Sequence, residues 1–592
     1  MTRALLCSVL LLSLSCSSGS SDAGGSTGGM GNSSGSGNQS GGSSGSVGSS
    51  GSANNGGSGN GGSAGVGTTA GGGGSGATAG GAAGGDTAGA GGTSVSSNAS
   101  VTQWGGDIAR TSHWVHPSLT KANMAKMALD TFTAPAGTAE YAGKFAGEIA
   151  ATPLYIAGAT AGAGEYIIET TQNDVYAFNE GTGALVWKHN LGAFLGKGGS
   201  VCGSPNNHGI VSTPVIDLAA RVIYVTAGMT DGHYELHALS ADTGMEVAGG
   251  WPFDFSKVTA PGVTQFPSTV QIQRSALSLV GGIVYVAFGG FCGDGGNYHG
   301  WVVGVNSKDP TKSGAWATMD EKAGIWAPGG MASDGNGVFA VTGNNGASGD
   351  HSTSDSEEVI RVTGLGVGMR DDKNMFFPTE WATPMNAKDL DFGSSSPAVV
   401  SVPASTPSKI IVAPSKNGRV YFLDSANLGA SLGQFADMAV AGTNAASVYT
   451  APSAYTTTSG VHVAITTGEG SQCPGATNNG SVMSILLQPG ATPDKAPTPK
   501  IAWCGAIKTD GTTKRSPTST NSSGTADPIV WLVNGSTLNG FDGETGAVVY
   551  DGGTTSCGGV PYFSQAIVAN GHIVTAGAAA GQAHLCSWSV HN

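Results

Sequence analysis

From about residue 150 onward the chain repeats one pattern of apolar and polar positions. Its clearest copy runs ATPLYIAG and then EYIIETTQNDVYAFNEGTGALVWKHNLG. Apolar residues alternate with polar ones, which puts one side of each short strand in a core. The phrase AFNEGTG at 177–183 returns as ALSADTG at 238–244 and as GFDGETG at 540–546. A polar or acidic residue opens each of these turns and a glycine supplies positive φ. Weaker copies start near Thr152, Thr213, Arg274, Gly329, Ser395, Ala451, Thr525 and Ser564, about 60 residues apart. The pattern predicts an all-β, eight-bladed β-propeller, with seven blades as the alternative, since radial repetition leaves only short, protected edges. The last repeat lacks its outermost strand, and residues 141–149 are expected to supply it and close the ring.

The pattern does not extend to the N-terminus. Residues 1–16, MTRALLCSVLLLSLSC, pair Arg3 with a short apolar run, as a secretory signal does. Cys16 after Ser13-Leu14-Ser15 resembles a lipoprotein lipobox. The expected location is therefore the outer membrane or cell surface through a lipid on Cys16, or else the periplasm or medium after ordinary cleavage. Residues 17–99 are almost wholly Gly, Ser, Ala, Thr and Asn. Such a composition buries too little apolar surface to offset the entropy of ordering, and predicts a disordered tether. Its average reach would be on the order of 50 Å. Residues 100–592 then form the propeller. The net charge of −14 provides no basic stripe for phosphates, so no nucleic-acid partner is expected. Six cysteines follow the signal, an even number that suits disulfides in an exported chain; the expected pairs are 202–292, 473–504 and 557–586. No Cys-x-x-Cys-His occurs, so no haem is expected on this chain.

Propeller topology predicts where chemistry can gather. Residues just before each blade start, and those in the loop between second and third strands, return to one mouth. Thr152, Thr213, Arg274 and Asp391 belong to the first set; Asn173, Asp294, His299, Asn344 and Lys416 belong to the second.

The order and spacing of these residues resemble the quinoprotein alcohol dehydrogenases, whose propeller is built from PQQ-type repeats. Trp326 lies eighteen residues before Asn344 in Thr342-Gly343-Asn344, with Asp334 between them. Asp391 stands in Leu390-Asp391-Phe392-Gly393, and Lys416-Asn417-Gly418 leads into Val420-Tyr421-Phe422-Leu423-Asp424. The resemblance implies PQQ on the Trp326 indole with Lys416 beside it, and their place at the mouth makes Arg274 and His299 further expected cofactor-binding residues. The resemblance also implies Ca²⁺ held by Asp294, Asn344 and Asp391, and Asp391 as the catalytic base. Two positions depart from the family. Its vicinal cysteine pair is Cys202-Gly203 here, and its glutamate ligand is matched only by the shorter Asp294.

Two functions follow as expectations. One is a surface-tethered dehydrogenase for an alcohol, polyol or hydroxylated polymer, passing electrons to an external acceptor. The other is a non-catalytic propeller lipoprotein that binds a protein or glycan at its mouth as a scaffold. A separate acidic run, Asp350, Asp355, Glu357 and Glu358, does not have EF-hand spacing and is expected to be a solvated loop.

Overall fold

A computed structural model describes residues 95–96 and 99–591, except 159–163, 196–207, 263–264, 292–293, 346–349, 443–447, 469–470, 474–480, 506–513, 553–555 and 580–581. The signal, Cys16, most of the tether, Cys202-Gly203 and the expected 202–292 pair lie outside the described residues. Eight sheets follow one another along the chain as the blades of an eight-bladed propeller. Their innermost strands are Leu154–Ile156, Val215–Asp217, Ser278–Val280, a one-residue bridge at Ala332, Ala398–Ser401, Ser453–Thr457, Thr518–Asn521 and Ile567–Ala569. They open blades 1 to 8 in that order. Disulfides join Cys473 to Cys504 and Cys557 to Cys586, two of the three expected pairs.

The repeated turns explain how blades dock. Gly183, Gly244 and Gly546 have φ of +69°, +72° and +74°, the left-handed conformation the turn demands. The indole of Trp187, on the outer strand of blade 1, donates to Ala241 O in the turn of blade 2 at 3.0 Å. Trp503 on blade 6 donates in the same way to Gly543 O of blade 7, at 2.7 Å. Nearer the mouth, a backbone N–H of one blade donates to a hydroxyl of the next. Thr152 N reaches Thr213 Oγ1, Gly329 N reaches Ser396 Oγ, Ala451 N reaches Ser516 Oγ and Gln565 N reaches Thr152 Oγ1. Thr152 and Thr213 are thus committed to joining blades.

Two sequence expectations are corrected. The closing strand of blade 8 is Met127–Leu129, antiparallel to Trp588–Val590, whereas 141–149 adds a single bridge, Phe145 to Ala583. Asp130 fixes the short strand by accepting from the hydroxyls of Ser587 and Ser589 at 2.5 and 2.6 Å. Blade 7 starts at Thr518, ahead of the expected Thr525. Its inner strand, Thr-Ser-Thr-Asn, has no apolar alternation yet is fully buried. Hydroxyl and amide bonds satisfy it: Thr518 Oγ1 to Ala566 O, Trp531 Nε1 to Thr520 Oγ1 at 2.9 Å, and Asn521 Nδ2 to Thr456 O at 2.8 Å.

A third feature was not legible in the repeat. Residues 101–115 thread the centre of the ring. Their carbonyls accept from successive inner strands: Tyr155 N to Val101 O, Ile216 N to Thr102 O, Ser333 N to Ile108 O, Val399 N to Ala109 O, Ala454 N to Thr111 O and Ser519 N to Ser112 O. Residues His113–Val115 then run parallel to blade 7. Arg110, fully buried, spreads its guanidinium over Trp104 O, Leu277 O, Met331 O and Ser278 Oγ at 2.6–3.1 Å. Trp104 packs against Ala276 and Ala451, which lie immediately before the inner strands of blades 3 and 6. The segment therefore floors the channel.

Candidate active site at the propeller mouth

The structure gathers some of the expected residues, Asn344, Asp391 and Lys416 with Trp326 and Arg274, and not the others. Asp391 precedes the inner strand of blade 5 and is 5 % exposed. Its Oδ1 accepts the Asn344 N–H at 3.2 Å; its Oδ2 accepts from Ser394 Oγ and Lys416 Nζ, both at 2.9 Å. Lys416 lies in the turn between Lys409–Pro414 and Arg419–Asp424 and also contacts Asp389 Oδ2 at 3.0 Å. Burial opposes its charge, but the carboxylates of Asp391 and Asp389 outweigh it and hold the ammonium above the usual lysine range. The Asn344 side chain has no hydrogen-bond partner among the described residues, which leaves its amide oxygen available.

The Trp326 indole is pinned beside this group. Nε1 donates to Gly290 O at 2.8 Å. A Cβ on Gly289, Gly324 or Gly343 would stand only 2.5–2.7 Å from the ring, so the indole lies directly against backbone. A Cβ on Gly343 would also stand 3.3 Å from Asp391 Oδ1, which places indole and carboxylate around the same residue. Arg274, before the inner strand of blade 3, donates from Nε to Trp326 O at 3.3 Å. Burial draws its pKa down to about 10, with the charge of Asp391 opposing.

Two expected residues sit further out. Asp294 is at the exposed rim with φ +51°; it accepts the Tyr298 hydroxyl at 2.7 Å and is 3.9 Å from Lys322. His299 bonds through Nδ1 to Thr318 O at 2.9 Å, beside the outer strand of blade 3. The inward residue of that loop is Tyr298, 6.1 Å from the Trp326 ring centre. Asp334, the aspartate between Trp326 and Asn344, is held by Arg361 in a bidentate pair, both contacts 3.0 Å. Asn173 bonds Gly192 O at 3.3 Å within blade 1.

Other mouth residues were missed, and the same topological rule would have found them. Tyr449, Lys514, Tyr562 and Phe563 each stand shortly before the inner strand of blades 6, 7 and 8. The Lys514 ammonium lies over the rings of Tyr449, Tyr562 and Phe563 at 5.2, 5.6 and 5.9 Å, and Arg274 over Phe563 at 4.5 Å.

The acidic run corrects another expectation. Asp350 is exposed, but Asp355, Glu357 and Glu358 are at most 1 % exposed. Asp355 pairs with Arg370 at 2.6 Å. Glu357 accepts the Phe392 N–H at 2.5 Å, directly behind Asp391; its other oxygen and both of Glu358 find no hydrogen bond among the described residues. The run is buried because Val359–Thr363 is a central strand of blade 4 and draws its preceding residues inward. Burial raises both glutamates well above the ordinary carboxylate range, and the charges of Asp391 and Asp355 add to the shift. Such carboxyls fold protonated. Their stabilisation is complete below about pH 4.5 and is lost as pH rises toward their folded pKa values. Thermal melts of Glu358→Gln should therefore lie above wild type at pH 8 and converge with it at pH 5. Parallel curves across that range would contradict the assignment.

No family model and no curated protein sequence matches the chain. Solved structures do. The quinohemoprotein alcohol dehydrogenase ADHIIG from Pseudomonas putida HK5 superposes with a TM-score of 0.58 at 14 % identity, over 83 % of this chain and 80 % of that one. The quinohemoprotein alcohol dehydrogenase from Comamonas testosteroni gives 0.50 at 14 %, with 83 % and 80 % covered. A europium-containing methanol dehydrogenase gives 0.51 at 13 %, with 82 % and 90 % covered. At these identities the likeness is one of fold: a quinoprotein-type eight-bladed propeller.

Proposed function

We propose that the mouth oxidises an alcohol with a bound quinone cofactor of the PQQ type and an oxygen-ligated metal ion. The observation that carries this reading is the packing of Trp326, Asn344, Asp391 and Lys416 into one recess. The residues fit the cofactor. A pinned indole offers a flat face. The Asn344 amide oxygen and Asp391 Oδ1 are neighbouring hard donors of the kind Ca²⁺ or a lanthanide takes. Asp294, turned to the rim and bonded to Tyr298, is the most distant of the three expected ligands. When bound, the quinone would supply the two-electron acceptor and the metal would polarise it.

The chain's own residues then have separable roles. Asp391 accepts the hydroxyl proton, being a carboxylate whose orientation is fixed by three donors. Lys416 stays cationic and stabilises negative charge as it develops beside it. Arg274 and Tyr298 frame the indole, and the threaded segment closes the channel below, so access is from the mouth. The sequence has no haem-attachment motif, and electrons would pass to an external carrier. Lipid anchorage at Cys16 would hold this site at a bacterial surface.

The purified chain, loaded with PQQ and Ca²⁺, should reduce a dye in the presence of an alcohol. Asp391→Asn keeps the shape of the site and should lower kcat by roughly 10²–10⁴-fold. Failure of the chain to bind quinone or to turn over any alcohol would end the redox reading and leave a propeller that binds a protein or glycan at its mouth.

A further inference from the structure

The mouth is electrically divided. Blades 3 and 5 bring Asp294, Asp389 and Asp391, and Lys416 is spent on two of these acids. Blades 3, 7 and 8 bring Arg274, Lys514, Tyr562 and Phe563, with Tyr449 from blade 6.

Among the described residues, no carboxylate pairs with the cations on this second side. Arg274 uses one N–H, on Trp326 O, and the Lys514 ammonium makes neither a hydrogen bond nor an ion pair among the described residues. Acids exceed Lys plus Arg by 39 to 25 in the whole chain, so carboxylates were not in short supply. Aromatic faces attract a cation but do not cancel its charge. Burial and mutual repulsion lower Lys514, with Arg274 and then Lys416 as the charges responsible, so the three cations share one field.

The backbone is strained to make this arrangement. Phe563 has φ +63°, a conformation that a bulky side chain rarely adopts, and its N–H is tied to Lys514 O at 2.5 Å. Its ring thereby lies close to both cations, 4.5 Å from the guanidinium and 5.9 Å from the ammonium. Tyr562 beside it is 42 % exposed, which leaves this side open to solvent. Arg515 holds the same loop through Val560 O, at 2.6 Å from Nη2.

We propose that Arg274 and Lys514 form a carboxylate subsite, and that the ligand is a hydroxylated acid, such as a hydroxy acid or sugar acid, whose hydroxyl reaches Asp391. This deepens the alcohol-oxidation reading and rests on it for the role of Asp391. The carboxylate would complete the charge balance that the described residues leave open. Two carboxylates could come here, that of a substrate or one belonging to the quinone.

Titration calorimetry on the full chain separates these sources. Without added quinone, D-gluconate or D-galacturonate should bind roughly tenfold or more tightly than neutral sorbitol. Lys514→Gln should remove that preference while leaving the melting temperature unchanged, and Lys514→Arg should keep it. Equal affinity for gluconate and sorbitol, or no loss in Lys514→Gln, would overturn the subsite. Displacement of gluconate by PQQ would overturn the substrate assignment and give the pair to the cofactor. Because binding is read without turnover, gluconate binding with no dye reduction would sink the oxidase reading alone.

Discussion

Replacing Lys416 by Ala should cost on the order of 3–5 kcal/mol of stability, the loss expected when one partner of a buried ion pair is removed. The ammonium lies 2.9 and 3.0 Å from Asp391 and Asp389, and Asp391 is 5 % exposed. Without it, the Asp391 carboxylate is left in a recess that already backs onto buried Glu357. Denaturant unfolding with a two-probe check would read this effect. Lys416→Arg preserves the charge but not the compact shape, and should retain most stability while losing activity, because the planar fork cannot meet both aspartates as a point charge does. The double variant Lys416→Ala/Asp391→Asn should recover much of the loss, since no carboxylate is then stranded there. An additive double variant would show that the two residues are uncoupled.

Arg110→Ala should destabilise the protein by a similar amount, roughly 3–5 kcal/mol, through a different cause. Arg110 is fully buried, with its pKa drawn down to about 9 by burial while Asp107 opposes the shift. It donates to four acceptors drawn from the threaded segment and from blades 3 and 4. Truncation would strip those acceptors of the guanidinium, and only Met331 O would keep another side-chain donor, Ser278 Oγ at 3.0 Å. Arg110→Met should lose nearly as much, because volume is restored but hydrogen bonds are not. Proteolysis should then cut within residues 99–116, since the floor is held mainly by this fork and by backbone bonds to blades 1, 2, 4, 5, 6 and 7. Unfolding of Arg110→Ala within about 0.5 kcal/mol of wild type would mean the floor is held elsewhere.

How much of this was legible depended on whether the signal was local. The blade repeat was, because a strand with one side in a core must alternate, and the Thr-Gly turn must have a left-handed glycine. Asn344, Asp391 and Lys416 could be named because ring connectivity gathers their loops at one mouth, whereas Trp326 was named only from the resemblance to the quinoprotein alcohol dehydrogenases. The inner strand of blade 7 was hidden because its polar residues are satisfied by hydroxyl and amide bonds rather than by a core. Met127–Leu129 was hidden because three residues carry no period, and what holds them is Asp130 reaching across the ring closure. Glu357 and Glu358 were misread because charged residues in a row are usually solvated. Only the pairing of the strand that follows them shows that they are buried.

By itself, then, the amino-acid order determined the all-β repeat and the propeller class, with eight blades ahead of seven, since both follow from the period of the chain; the structure decided for eight. Tertiary structure alone decided that 101–115 floors the channel, that Arg274 and Lys514 meet across Phe563, and that His299 turns away from the indole. Those outcomes depend on contacts between segments tens to hundreds of residues apart, which no local pattern encodes.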